Sequence, residues 1–170
     1  MEKLSESINR KQYIYFSGYK DKDCGFLSNF YKCSFIGKTN NETFYFFSVE
    51  QYMMYHKALL MGDLKTSSKI LNAKTSLQCK RLGKKVKQWN EELWKKNRYL
   101  IVYQGVFLKF SQNKDLKEKL LNTGNKILAE ASKWDKIWGI GLSKKDSLLG
   151  KKWKGTNLLG TILMDVRSNI

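Results

Sequence analysis

The sequence holds one histidine, His56, three cysteines and no proline. A single imidazole argues against a histidine-built zinc site, and any Ser–His–Asp or Cys–His device has to run through His56. Cys24, Cys33 and Cys79 are odd in number, scattered, and form no C-x-x-C pair. That is the pattern of free thiols in a reducing compartment rather than of a disulfide framework. No apolar run approaches the roughly 18 residues of a membrane span. The opening MEKLSESINRKQ has no apolar segment of a secretory signal. Residues 1–11 read as a flexible polar tail ahead of one folded domain, 12–170. Acidic residues are scarce too, 15 against 32 Lys+Arg, for a net charge of +17. The lack of proline carries no functional reading.

What is present suffices for a globular core: 42% hydrophobic and 14% aromatic residues over 170 positions. The positive surface attracts polyanions. Its lysines run from Lys3 to Lys154, so contact with nucleic acid or a phosphorylated ligand and a merely soluble lysine-rich surface both remain open. With one histidine, acid–base chemistry falls to carboxylates and lysines.

Along the chain, Tyr13–Phe16 reads as a strand. Tyr31–Ile36 and Thr43–Phe47 read as a hairpin around the loop of residues 37–41. Ser48 is placed to cap a helix from Val49 to about Met61, with Gly62 as its stop. Residues 64–73 and 76–86 read as two modest helices. A long one runs from Asn90 to Phe110, with Leu93, Leu100, Val106, Phe107 and Phe110 on its apolar faces. A short helix over 114–122 ends at Thr123-Gly124, and Lys126–Ala131 reads as a strand. Residues 132–156 read as an ordered loop. Asn157 is placed to cap a last helix with Leu158, Ile162 and Met164 inward.

Three stretches could carry chemistry. In SVEQYMMYHKALLMG, Glu50 and Lys57 are seven residues apart, so their directions on a helix differ by only about 20°. An acid and an amine on one partly apolar face suit general acid–base work or an amine nucleophile; a solvated pair on an amphipathic helix fits the same spacing. In EASKWDKIWGIGL, Asp135 lies between Trp134 and Trp138, and Gly139 and Gly141 allow close backbone approach. Aromatic faces with a carboxylate suit a flat ring or a sugar, and a structural tryptophan loop fits equally. In WKGTNLLGTILMDVR, Gly155 and Asn157 precede a helix whose N-terminus could seat a phosphate or simply be capped. There is no P-loop and no dinucleotide fingerprint.

Taken in order, GFLSNFY, SVEQYMMYHKA, KVKQWN, KFSQN, LLNTGNKILAEASKWDKIWGIGL and WKGTNLLGTILMDVR resemble the NADAR, or YbiA-like, family from about Tyr13 to Arg167. The resemblance implies a mostly helical, single-domain α+β fold with a small antiparallel sheet, acting as a cytoplasmic N-glycosidase, nuclear as well in a eukaryote, and needing no cofactor, no metal and no membrane. It would cut the ribose C1–N bond of a phosphorylated riboside. Two substrate classes follow: riboflavin-pathway ribosylaminopyrimidine phosphates, and ADP-ribose on guanine in DNA or RNA. Carried onto this sequence, the implied catalytic residues are Glu50, Lys57 and Asp135. The implied substrate-binding residues are Gly25, Phe26, Ser28, Asn29, Phe30, Trp89, Trp138, Gly139, Asn157 and Arg167. Gly83-Lys84 departs from a Gly-Arg often found before the Trp-Asn motif, replacing a forked donor by a point charge.

Ser28 and Asn29, polar between apolar anchors, are expected to face the ligand. Glu50 is expected to do acid–base work and Asp135 to serve the sugar side, with an imine on Lys57 as a second route. The competing readings are a module that binds ADP-ribose or a nucleotide without turnover, and a basic nucleic-acid-binding protein.

Overall fold

The computed structural model describes residues 12–170; the polar-tail reading of 1–11 lies outside them. By their contacts the described residues divide into two compact units, one of residues 12–28 with 115–170, the other of residues 29–114.

Strand β1 (Tyr13–Phe16) belongs to the first unit, and β2 (Phe35–Thr39) and β3 (Glu42–Phe46) pair antiparallel from Phe35↔Phe46 to Thr39↔Glu42. The sequence suggested a five-residue loop. The observed turn is only Asn40-Asn41, both left-handed with φ of 52° and 65°, which asparagine tolerates better than most residues. Gly37 and Lys38 thereby join β2, and residues 31–34 lie ahead of it rather than in it.

Helix α1 (Val49–Leu60) starts where Ser48 Oγ accepts the Gln51 amide at 3.1 Å. Every residue from Val49 to Tyr55 is buried, because α1 packs against α2 (Leu64–Leu71), α3 (Ser76–Gly83) and α4 (Glu91–Gln112). Asp63 and Thr75 cap α2 and α3. Glycines permit the close approach: a Cβ on Gly83 would fall 1.9 Å from Met54 Sδ, and one on Gly105 2.7 Å from the Tyr52 ring. On α4, Leu100 is exposed and Leu93 and Phe107 are half-buried, while the expected Val106 and Phe110 are buried together with Trp94 and Val102. Val102, Val106 and Phe110 recur at four-residue steps, so they lie along one side of the helix.

In the first unit, β1 and β4 (Ile127–Glu130) pair in parallel, Tyr13↔Ile127 to Phe16↔Glu130. Helix α5 (Lys114–Leu121) ends at a turn with Gly124 left-handed. The stretch read as a loop contains a short helix, α6 (Lys144–Leu148), capped by Ser143, whose Oγ accepts the Asp146 amide. Helix α7 (Leu158–Arg167) packs on β4. Its inward residues are Leu159, Ile162, Leu163 and Val166, while Leu158 and Met164 are half-buried. The architecture is mostly helical α+β, with the expected antiparallel sheet and a parallel pair besides.

Candidate active site

Glu50 and Lys57 both lie on α1. Glu50 is in the first turn and 4% exposed; its backbone N–H donates to the Asn29 carbonyl at 2.9 Å. Two turns on, Lys57 is half-buried under two indoles. Its Nζ is 4.5 Å from the Trp89 ring centroid and 5.7 Å from that of Trp94. Trp89 precedes the α4 cap residue Asn90, whose Oδ1 accepts the Leu93 amide at 2.9 Å. Trp94 is the fourth helical residue, and the two rings pack 6.2 Å apart. This is a hydrophobic staple across a helix N-terminus, here with an amine against it.

The loop carrying Trp89 is held from below. Asp63 Oδ2 accepts the Lys87 amide at 2.9 Å, and the Asn90 amide meets Met61 Sδ at 3.3 Å. Gln88, just before Trp89, is left-handed with φ 54°. Burial pushes the Lys57 amine below its usual range, and the Glu50 and Glu91 carboxylates oppose that shift. The acid and amine therefore feel each other's charge, and the amine gives up its proton more readily than a solvated lysine. Trp94 and Glu91 were not singled out in the sequence; the spacing of Trp89 and Trp94 around a capping Asn-Glu-Glu is the signal that could have found them.

GFLSNFY crosses from one unit to the other between Ser28 and Asn29. Gly25–Leu27 form a 3₁₀ turn, and Ser28 is buried with its amide donating to Gly25 O at 3.0 Å. A Cβ on Gly25 would lie 2.6 Å from the Tyr19 carbonyl oxygen, so this position requires glycine. In the second unit, the Phe30 carbonyl accepts from Ser76 Oγ at 3.3 Å, and the Lys80 amine lies 5.6 Å from the Phe30 ring centroid. Asn29 is buried, and its side-chain oxygen meets no donor among the described residues. A buried acceptor left unpaired costs about 1–3 kcal/mol, so this oxygen is a strong candidate to receive a ligand's donor.

In the first unit, Asp135 Oδ1 accepts the amides of Ile137 at 2.9 Å, Trp138 at 2.8 Å and Gly139 at 3.4 Å. The carboxylate thus shapes its own turn. The carbonyls of Ile137, Trp138 and Gly139 in turn accept the amides of Leu158, Leu159 and Asn157. Of the two readings of this helix start, phosphate seat or capped end, the second fits: its N–H groups are engaged by the tryptophan loop. Asn157 does not cap α7: it is left-handed, φ 54°, without a side-chain cap bond. Its Oδ1 accepts the Glu130 amide at 3.0 Å and its Nδ2 donates to the Leu128 carbonyl at 2.9 Å, tying α7 to β4. Arg167, at the other end of α7, donates through one nitrogen to Thr123 Oγ1 at 2.7 Å and the Lys126 carbonyl at 2.9 Å. The expected site residues thus form two groups. Asn29, Phe30, Glu50, Lys57 and Trp89 belong to the second unit; Gly25, Phe26, Ser28, Asp135, Trp138, Gly139, Asn157 and Arg167 belong to the first.

The family model for the NADAR domain matches residues 15–170, across both units. The chain belongs to the NADAR family. It is 43% identical over 161 residues to N-glycosidase R617 of Acanthamoeba polyphaga mimivirus, covering 92% of this chain and 95% of that one. It is 35% identical to the riboflavin biosynthesis protein VVA0006 of Vibrio vulnificus over 94% of its own length but only 39% of that protein. The NMR structure of the E. coli protein YbiA superposes with a TM-score of 0.73 at 25% identity, covering 93% of this chain and 84% of that one.

In this NADAR chain His56 is no general base at neutral pH. It is half-buried among aromatic rings, 4.2 Å from the Tyr52 ring centroid and 5.2 Å from that of Tyr55, and desolvation pushes its pKa down to about 4 from 6.5. Between these values the unfolded chain binds a proton that the folded chain refuses. The stability His56 supports is therefore complete above pH 6.5 and lost as pH falls toward 4, by roughly 3 kcal/mol. His56→Gln should remove that part of the acid slope. Urea midpoints of both proteins at pH 7, 5.5 and 4.5 measure it, and parallel slopes would refute it. Among the described residues, no three His, Cys, Asp or Glu side chains gather as metal ligands. The cysteines are free, and no helix is long and apolar enough to cross a membrane.

Proposed function

We propose that this NADAR chain hydrolyses the ribose C1–N bond of a phosphorylated N-riboside at the Glu50–Lys57 face of α1. The chain is a hydrolase acting on N-glycosyl compounds, in keeping with its 43% identity to a full-length relative named N-glycosidase. The observation that carries the residue assignment is the buried carboxylate and the desolvated amine on one helix face, with two indoles against the amine.

Cleavage leaves electron deficiency at C1 and a base that needs a proton. Glu50 supplies that proton and takes one back from the incoming water. Trp89, 43% exposed, offers a face on which the base stacks, and Asn29 Oδ1 accepts a hydroxyl or amino hydrogen of the ligand. In the direct route, water attacks C1 as the C1–N bond breaks. In the amine route, Lys57 Nζ bonds to C1 while the base leaves with the proton from Glu50. The C1–ring-oxygen bond then breaks as the Nζ proton passes to that oxygen, opening the sugar to an imine, and water hydrolyses the imine to the free sugar and the free amine. Borohydride added during turnover reduces an imine to a stable adduct, read as a mass increase on the peptide bearing Lys57. An unmodified peptide excludes the amine route.

Asn29→Ala should lower kcat/KM about tenfold, the worth of one good hydrogen bond to a ligand. Its melting temperature should stay within a few degrees of wild type, since the lost oxygen has no partner in the fold. A large loss of stability with unchanged kcat/KM would make Asn29 structural instead.

Two substrates fit this chemistry. The Vibrio relative's name favours ribosylaminopyrimidine phosphates of the riboflavin route. The +17 charge favours ADP-ribosylated guanine in nucleic acid. Incubation with each, followed by mass spectrometry, separates them: ribose 5-phosphate from the first, free ADP-ribose from the second. No product from either would overturn both.

A further inference from the structure

A pocket of about 810 Å³ lies wholly within the first unit, and none of Glu50, Lys57, Trp89 and Asp135 lines it. Its volume falls in the range of small-molecule sites. The buried lining residues are mostly apolar: Tyr15, Cys24, Phe26 and Leu27. Tyr13, also in the lining, stacks on Tyr15 at 5.4 Å with the rings 6° from parallel. Around this floor stand four exposed lysines, Lys22, Lys119, Lys126 and Lys144, against one lining carboxylate, Asp23.

Lys144 is already paired with Asp21 at 3.5 Å. No ion pair among the described residues engages Lys22, Lys119 or Lys126. Lys119 extends to 5.9 Å from the Phe26 ring centroid, over the floor. One wall is fixed: Arg167 holds both Thr123 Oγ1 and the Lys126 carbonyl, and Thr123 donates to the Leu120 carbonyl at 2.6 Å. A wall so braced loses little freedom when a ligand arrives. An aromatic floor suits a flat ring, and unpaired ammonium groups at the edge suit an anion.

We infer that this pocket is a nucleotide-binding site separate from the Glu50–Lys57 pair, with the ring on the Tyr13–Phe26 floor and the phosphate at Lys22, Lys119 and Lys126. The inference does not rest on the hydrolytic assignment: none of Asn29, Glu50, Lys57 and Trp89 lines the pocket, and of the residues the family resemblance implies for substrate binding only Phe26 does.

Adenosine monophosphate, adenosine and inorganic phosphate serve as probes, titrated into the full chain by calorimetry and amide NMR. The monophosphate should bind saturably, at least about tenfold more tightly than either of the others, because one charge-assisted hydrogen bond is worth that factor. The amides of Phe26, Thr123 and Lys126 should shift. The double variant Lys119→Ser/Lys126→Ser should weaken the monophosphate by at least about tenfold, whereas Glu50→Gln should not. Lys22→Ser/Lys119→Ser is the second variant should the first lose its fold. Equal binding of adenosine and its monophosphate overturns the inference, as does affinity untouched by the lysine changes or abolished by Glu50→Gln.

Discussion

Glu50→Gln is expected to lower kcat by about two to four orders of magnitude, the usual contribution of a positioned general acid–base group. The replacement keeps the volume and planarity of the side chain at a position only 4% exposed. The helix cap at Ser48 and the Glu50 N–H to Asn29 bond use other atoms. What disappears is the group that gains and loses a proton. A second effect follows on Lys57. The Glu50 carboxylate holds the Lys57 proton on, against burial, so its removal drops the amine's pKa further. Any reaction that needs a neutral amine then turns on at lower pH in the variant. Residual turnover in Glu50→Gln, if it runs through Lys57, should show this displacement of the rising alkaline limb and should still be trapped by borohydride. Product formation within threefold of wild type, measured under saturating substrate, would remove Glu50 from the mechanism.

Gly160→Ala has the largest expected effect on stability. A Cβ there would stand 2.1 Å from the Leu128 carbonyl oxygen and 2.3 Å from Asn157 Nδ2. Those are the two atoms whose hydrogen bond ties α7 to β4. The first belongs to the backbone of a strand and cannot swing aside. The methyl must therefore displace the Asn157 amide, which would break its bonds to Leu128 and Glu130 and leave buried polar atoms unpaired. Overpacking together with those losses comes to roughly 4 kcal/mol or more, about 10 °C in melting temperature for a chain of this size. Gly124→Ala is the contrast: it also replaces a glycine, at φ +57° with nothing within 4 Å of the new methyl. Its cost is that of the left-handed backbone alone, about 1–2 kcal/mol. If thermal melts place Gly160→Ala level with Gly124→Ala, close packing of α7 on β4 does not hold this seam.

Much of the architecture was legible in local signals. Ser48, Gly62, Asn90 and Gly124 mark ends of helices because an N-cap acceptor or a left-handed glycine is decided within one turn of chain. The shared direction of Glu50 and Lys57 follows from the helical period alone. The hairpin was visible as two aromatic runs around turn residues, but its register was not. Both asparagines had to adopt left-handed backbone for the strands to extend into the expected loop, and Gly37 is there because a Cβ would lie 3.1 Å from the Phe46 and Tyr52 rings.

The errors have one physical source. Asn157 looks like a cap by position, yet its amide finds a strand distant in sequence. The α7 N-terminus looks open, yet three carbonyls of the tryptophan loop cover it. Leu100 looks inward by type, yet it is exposed on α4.

By itself, then, the sequence determined where most helices start and stop, that acid–base work falls to carboxylates and lysines, and that one carboxylate and one amine share a helix face. Only the tertiary structure decided that Lys57 is desolvated against Trp89 and Trp94, that the Asn29 oxygen is buried without a donor, and that Asp135 is committed to its own turn. Direction along a helix is set by covalent geometry within a few residues. Solvation is set by whichever distant side chains close over a group, and that information exists only once the chain has packed.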